Sequence, residues 1–148
     1  MTVCEAEQEK AYLSGPMSGL PGYNRQAFVD AEEALKKRGF EVYNPARSDD
    51  DTVLAEIRRT QGEDAVWRYC LRRDILRILQ DGFTSIRLIP EWQQSRGALI
   101  ESLLCRVLGI PVMQLDDTRV ELASLLRACW HTFIYRGHRS CPPTESAV

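Results

Sequence analysis

Four short apolar runs alternate along this chain with longer segments of helical period, and that alternation limits the folds open to it. The runs are Ala11–Ser14, Phe40–Tyr43, Ser85–Ile89 and Pro111–Leu115. Between them, apolar residues recur at helical spacing over Arg25–Arg38 (Ala27, Phe28, Ala31, Ala34, Leu35), Glu63–Gln80 (Trp67, Leu71, Ile75, Ile78, Leu79) and Ala98–Leu108 (Leu99, Ile100, Leu103, Leu104, Val107). Asn24 is placed to cap the first of these helices, and Gly39 and Gly109 are stop signals. Strand–helix–strand repetition of this kind specifies a parallel sheet with right-handed crossovers, covered by helices as an α/β sandwich. Two further segments complete the pattern. The acidic connection from Ser48 to Gly62 is long enough to serve as a lid or binding loop and holds a short helix over Val53–Arg59. Thr118–Tyr135 reads as a last helix, with Val120, Leu122, Leu125, Leu126, Cys129, Trp130 and Phe133 on its apolar side.

A chain of 148 residues is the length of one domain, and a hydrophobic share of 44% is ordinary for one with a real core. Nineteen basic against 21 acidic side chains leave a net charge of −2, so no global field draws in nucleic acid or an anionic membrane. An anionic ligand must therefore be held locally. No apolar run approaches the ~20 residues of a membrane span, and Met1–Lys10 is polar rather than signal-like, so a cytoplasmic protein is expected. Cys4, Cys70, Cys105, Cys129 and Cys141 are an odd set with no CxxC and no histidine cluster. They read as reduced thiols, Cys70 and Cys105 in the core, and neither a metal nor a cofactor is expected. Residues 1–9 read as a polar leader, 10–135 as a single α/β domain, and 136–148, with Pro142-Pro143, as a flexible tail. His131 and His138, in or beside that tail, read as surface or packing residues.

Ligands of parallel α/β sheets bind at the carboxyl ends of the strands. Three loops project from that edge: Gly15–Gly22, with three glycines and two prolines, Asn44-Pro45, and Pro90–Gly97. Two carboxylates border it. Glu101 interrupts the apolar pattern of its helix and shares a face with Gly97, Leu104, Cys105 and Leu108, while Asp74 falls at the spacing of Trp67, Leu71 and Ile78. Burial would raise the pKa of Glu101, and the helix N-terminus would favour its ionised form. The helix alone leaves a first-turn glutamate chosen for the dipole level with a catalytic one. Convergence of both acids on one crevice is the sharper observation. Arg68, Arg72, Arg73 and Arg77 read as a solvated basic face that pairs with acids, since no aromatic residues interleave with them as nucleic-acid binding would want.

Three motifs carry a resemblance: Tyr12-Leu13-Ser14-Gly15-Pro16-Met17-Ser18-Gly19, Arg72-Arg73-Asp74-Ile75, and Ser95-Arg96-Gly97-Ala98-Leu99-Ile100-Glu101. Together they resemble the nucleoside 2-deoxyribosyltransferase superfamily, and more narrowly an uncharacterised, often phage-encoded branch close to the 2'-deoxynucleoside 5'-phosphate N-hydrolases. The likeness runs through roughly residues 10 to 115. It implies a Rossmann-like or flavodoxin-like three-layer sandwich around a parallel sheet of four to five strands. It also implies that Glu101, four residues after Gly97, is the nucleophile at the anomeric carbon. Asp74 would then work as acid or base near the base and sugar, and Tyr12 would orient the glutamate. Gly15, Met17, Ser18, Gly19, Asn44, Ser95, Arg96 and Gly97 would bind substrate.

Six residues before the glutamate, the transferases resemble one another in carrying an aspartate and the hydrolases a serine that binds the 5'-phosphate; this chain has Ser95. A hydroxyl tolerates a dianion that a carboxylate would repel. The hydrolases also carry an arginine where Ser18 stands here. The implied activity is therefore N-glycosidic hydrolysis of a (deoxy)nucleoside 5'-monophosphate without metal. Deoxyribosyl transfer to a second base is the nearest alternative, followed by a non-catalytic nucleotide-binding or sensing module and an interaction protein using the basic helix and C-terminal segment. The partners implied are a small nucleoside or nucleotide, no nucleic acid polymer and no membrane, in a homodimer or higher homo-oligomer. The apolar C-terminal helix, with Trp130 and Phe133, either serves that interface or packs on the sheet.

Overall fold

β1 (Lys10–Ser14) is the strand around which the sheet is built. Ala11, Tyr12, Leu13 and Ser14 are all buried, as a strand covered on both faces requires. The computed structural model describes residues 7–135 and sets β1 beside β2 (Glu41–Tyr43), β3 (Ser85–Leu88) and β4 (Val112–Gln114) in the order β2-β1-β3-β4. Every pairing is parallel. The flexible tail expected over 136–148, with Cys141 and His138, lies outside the described residues, as do Cys4 and the start of the leader.

Among the described residues, four α-helices fill the connections, α1 (Arg25–Lys37), α2 (Asp51–Gln61), α3 (Glu63–Gln80) and α4 (Arg96–Val107), and a fifth, α5 (Leu122–Cys129), follows the last strand. Alternation along β1 divides the core into two layers. Ala11 and Leu13 pack with Phe28, Ala31, Leu35, Phe40 and Ile89 on the α1 side. Tyr12 packs with Ile78, Phe83, Ile86, Leu99, Cys105 and Leu125 on the side of α3, α4 and α5. The result is a three-layer α/β sandwich of the Rossmann-like, flavodoxin-like kind. None of the described helices is long and apolar enough to cross a membrane.

Strand order reverses between β1 and β3. The chain leaves β1 toward one face and β3 toward the other, which opens a crevice at the carboxyl edge between the Gly15 loop and the loop before α4.

Several local expectations are corrected. Asn24 does not cap α1: at φ 56° it is left-handed, the third such residue after Gly22 (57°) and Tyr23 (53°), and a capping side chain needs an extended backbone. Its Nδ2 donates instead to the Pro16 carbonyl at 2.9 Å and pins the glycine-rich loop. α2 is longer than the segment expected over Val53–Arg59, because Asp50 in the acidic stretch is itself an N-cap, accepting from the Thr52 and Val53 N–H groups. Thr118–Val120 is not helical. It folds back along the open edge of β4, with Gln114 N–H donating to Thr118 and Val120 N–H to Val112, so α5 begins only at Leu122 and ends in a π-helical turn over Trp130–Tyr135. Leu79 and Val107, read as core-facing, are 52% and 84% exposed, since both lie in helix ends. Cys105 is buried as expected, but Cys70 is only half-buried.

Candidate active site

Ser95 sets up the site by ending one element and starting the next. Its Oγ accepts the Ala98 N–H at 3.2 Å, the bond that begins α4, and donates to the Gly15 carbonyl at 3.4 Å. The two loops of the crevice are thereby tied at their roots. Gly15 is required there on steric grounds, because a Cβ on it would stand 2.8 Å from the Ile89 Cβ.

One turn into α4, Glu101 turns inward to the end of β1. Its Oε1 accepts from Tyr12 Oη at 3.2 Å, and its Oε2 accepts from Ser14 Oγ. Tyr12 and Ser14 lie two residues apart on one strand and so face the same layer. Tyr12 is itself immobilised, stacked on Tyr43 at 5.4 Å and edge-on to Phe83 at 5.3 Å. It is fully buried beneath the crevice rather than on its wall.

Asp74, buried on α3, is the second carboxylate. Arg73 forks it, Nε to Oδ1 at 2.8 Å and Nη2 to Oδ2 at 3.2 Å, and the same guanidinium reaches Asp49 Oδ1 at 2.8 Å. Arg73 therefore does not belong to a solvated basic face, as the sequence suggests; it is a half-buried part of the site. Arg68 and Arg72 are exposed, and Arg77 pairs with Asp81.

These surroundings set the charges. Burial pushes the Glu101 carboxyl up to about 8; the Asp74 charge acts in the same direction, while the Ser14 and Tyr12 hydroxyls and Arg73 oppose it. Burial also raises Asp74, against the pull of Arg73. The Tyr12 phenol is driven well above its usual range by burial and by the Glu101 charge, so it stays a donor. Burial moves the Cys70 thiol to about 11, which makes it a poor nucleophile.

Above the carboxylates opens a cleft of about 740 Å³ between the glycine-rich loop, α2, α3 and the start of α4. Glu101, Asp74, Gly15, Met17, Ser18, Ser95, Arg96 and Gly97 all line it. Gly19 and Asn44 do not. Asn44 is buried, donates to Glu32 at 2.8 Å and accepts the Ala46 N–H at 3.0 Å, which starts the 3-10 turn Pro45–Arg47. Of the arginines in the wall, Arg25 pairs with Asp51, Arg58 with Glu63 and Arg73 with Asp49 and Asp74, whereas Arg96 lies over the Trp67 ring at 4.2 Å. Among the described residues, no group of three or more His, Cys, Asp or Glu side chains is placed to hold a metal ion.

Four members of the site went unassigned in the sequence: Ser14, Asp49, Trp67 and Arg73. Period-two alternation from Tyr12 points to Ser14. Nothing comparable points to Arg73, whose neighbour Asp74 projects about 100° away around the helix and whose other partner, Asp49, is 24 residues distant.

Fold and cleft define a parallel α/β domain with an acid pair at the switch point of its sheet. Residues 9–114 match a family described as "Domain of unknown function (DUF4406)", and the chain belongs to that family. The match takes in all four strands and the helices of the cleft and stops short of α5. No curated protein and no solved structure matches the chain.

Proposed function

We propose that this protein is an N-glycosidase that hydrolyses the base–sugar bond of a (deoxy)nucleoside 5'-monophosphate. The observation that carries the reading is Glu101: a buried carboxyl group held by two hydroxyls, beside a second acid, at the inner end of a cleft large enough for a nucleotide. The three motifs that resemble the nucleoside 2-deoxyribosyltransferase superfamily meet at this one place, which supports the same assignment.

In this reaction an ionised Glu101 oxygen bonds to the anomeric carbon as the bond to the base nitrogen breaks. The departing base takes up a proton from Asp74, and water then cleaves the glycosyl ester, giving its proton to Asp74 as the carboxylate returns. Tyr12 and Ser14 hold the attacking rotamer, and Asp74 is the acid–base partner. Ser18, Ser95, the N–H groups at the start of α4 and Arg96 take the phosphate, a use of a helix N-terminus that needs only local charge. Ser95 in place of an aspartate favours this substrate over an unphosphorylated nucleoside.

A non-catalytic nucleotide-binding module is the second reading, and the burial of Glu101 favours it, since it pushes the carboxyl toward its protonated, non-nucleophilic form. Incubation with a panel of nucleosides and their 5'-monophosphates, with Glu101→Ala as control, separates the readings. Base released from monophosphates by the wild type alone supports the hydrolase. Release that needs a second free base supports transfer. Protection against thermal unfolding without release supports the binding module.

A further inference from the structure

The two acids of the cleft are close enough to feel each other's charge, yet they are held in different ways. Both oxygens of Asp74 accept from the Arg73 guanidinium, whose third nitrogen, Nη1, donates to Asp49 and to the Ser48 carbonyl. Both oxygens of Glu101 accept from neutral hydroxyls, Tyr12 and Ser14, on the strand below. The other titratable groups facing the pair do not reverse that contrast. Cys105 lies beneath Glu101 on α4, Tyr43 of β2 stacks on Tyr12, Cys70 contacts Asp49, and Arg77 is paired with Asp81 and lies over Tyr43. A forked guanidinium stabilises an anion more strongly than neutral hydroxyls do.

We propose that Arg73 is a positioning residue that assigns charge within the pair, holding the anion on Asp74 and leaving the resting proton on Glu101. The proposal rests on the N-glycosidase reading and deepens it. Asp74 enters the reaction as the ionised member and accepts the proton that Glu101 must lose to become a nucleophile, the proton it then passes to the departing base. Asp49, brought in by the connection before α2, holds the guanidinium in the plane that makes the fork.

The test is a carboxyl ¹³C NMR titration of the full chain and of Arg73→Gln and Arg73→Lys, with Glu101→Gln and Asp74→Asn fixing the assignments. At about pH 6 the wild type is expected to show a protonated Glu101 beside an ionised Asp74. In Arg73→Gln the Asp74 midpoint is expected to rise by about one pH unit or more, and by more than that of Glu101, which loses only a weaker pull from the same cation, while Arg73→Lys keeps the wild-type order. Unmoved midpoints in Arg73→Gln overturn the proposal. So does an ionised Glu101 beside a protonated Asp74 in the wild type, a result that needs no variant to fold. The titration requires no turnover, so it stands or falls apart from the hydrolase reading. Base release by a protein whose midpoints do not move keeps that reading and removes Arg73 from it.

Discussion

Ser14 and Glu101, 87 residues apart in the chain, meet in a hydrogen bond at the carboxyl end of β1. The serine is the last residue of the strand, fully covered, and its hydroxyl has the buried carboxyl as partner. Ser14→Ala removes a donor that favours the ionised form of Glu101, so its titration moves above the value near 8. The rising limb of base release against pH is expected to shift to higher pH, with a loss on the order of tenfold at neutral pH. Tyr12→Phe moves the limb the same way. A limb that stays in place in both variants removes the two hydroxyls from the mechanism.

Glu101 also makes the fold sensitive to alkali. Its folded pKa lies above the usual carboxylate value of 4.5, so the native state binds more protons than the unfolded chain between 4.5 and about 8. Stability contributed by this group is therefore fully present below that window and declines as pH rises through it, by an amount on the order of a few kcal/mol. Glu101→Gln carries no charge at any pH. Urea midpoints measured across the window should fall for the wild type and fall less for the variant; parallel curves would show that the carboxyl is ionised without cost.

Gly15 is constrained by proximity rather than by dihedral angle. A methyl group there meets the Ile89 Cβ at 2.8 Å, an atom every residue but glycine possesses, so shortening Ile89 gives no relief. Gly15→Ala must part the two loops that Ser95 ties together. Destabilisation of about 1–3 kcal/mol and a weaker grip on any nucleotide are expected. A variant with the wild-type melting temperature and affinity would mean that the crevice yields freely at its root.

What was legible in the sequence follows from period and punctuation. The alternation of Tyr12 and Leu13 and the stripes through Phe28, Leu99 and Ile78 report burial directly, so the layers could be read from them. Glu101 and Asp74 stood out because each interrupts such a stripe. Caps and edges were less legible, since they depend on backbone conformation. Asn24 and Asp50 are both good capping residues, and only the left-handed turn at Gly22–Asn24 decides that the first is not used. Thr118–Val120 has helical spacing, but the open edge of β4 takes it. Arg73 was hidden for a related reason: its role depends on Asp49 arriving from another connection.

Asn44 is expected to matter for stability. It joins the buried Glu32 to the turn after β2, and Arg47 and Lys36 complete the carboxylate's shell. These partners hold Glu32 down to about 2 despite its burial. The sign is opposite to that of Glu101: the depressed pKa contributes stability that is present above 4.5 and lost as pH falls toward 2. Asn44→Ala leaves one Glu32 oxygen short of a donor and should cost about 1–3 kcal/mol, most evident above pH 4.5, with substrate affinity unchanged. A selective rise in KM at wild-type stability would move Asn44 into the binding site.

Arg96 offers the sharpest probe of substrate charge. The other cleft arginines are committed to carboxylates, while this one lies over Trp67 beside the free N–H groups of α4. The first loop carries Ser18 where the hydrolases that the motifs resemble carry an arginine, so on the proposed reading a phosphate bound here depends on Arg96 for a cation. Arg96→Gln should raise KM for a nucleoside 5'-monophosphate by about tenfold while leaving kcat within a factor of a few, because the phosphate is bound equally in ground and transition states. The wild type should lose affinity with added salt more steeply than the variant. An unphosphorylated nucleoside should bind both proteins alike. Should Arg96→Gln weaken nucleoside and nucleotide equally, the arginine acts on the cleft through Trp67, and the phosphate lies elsewhere.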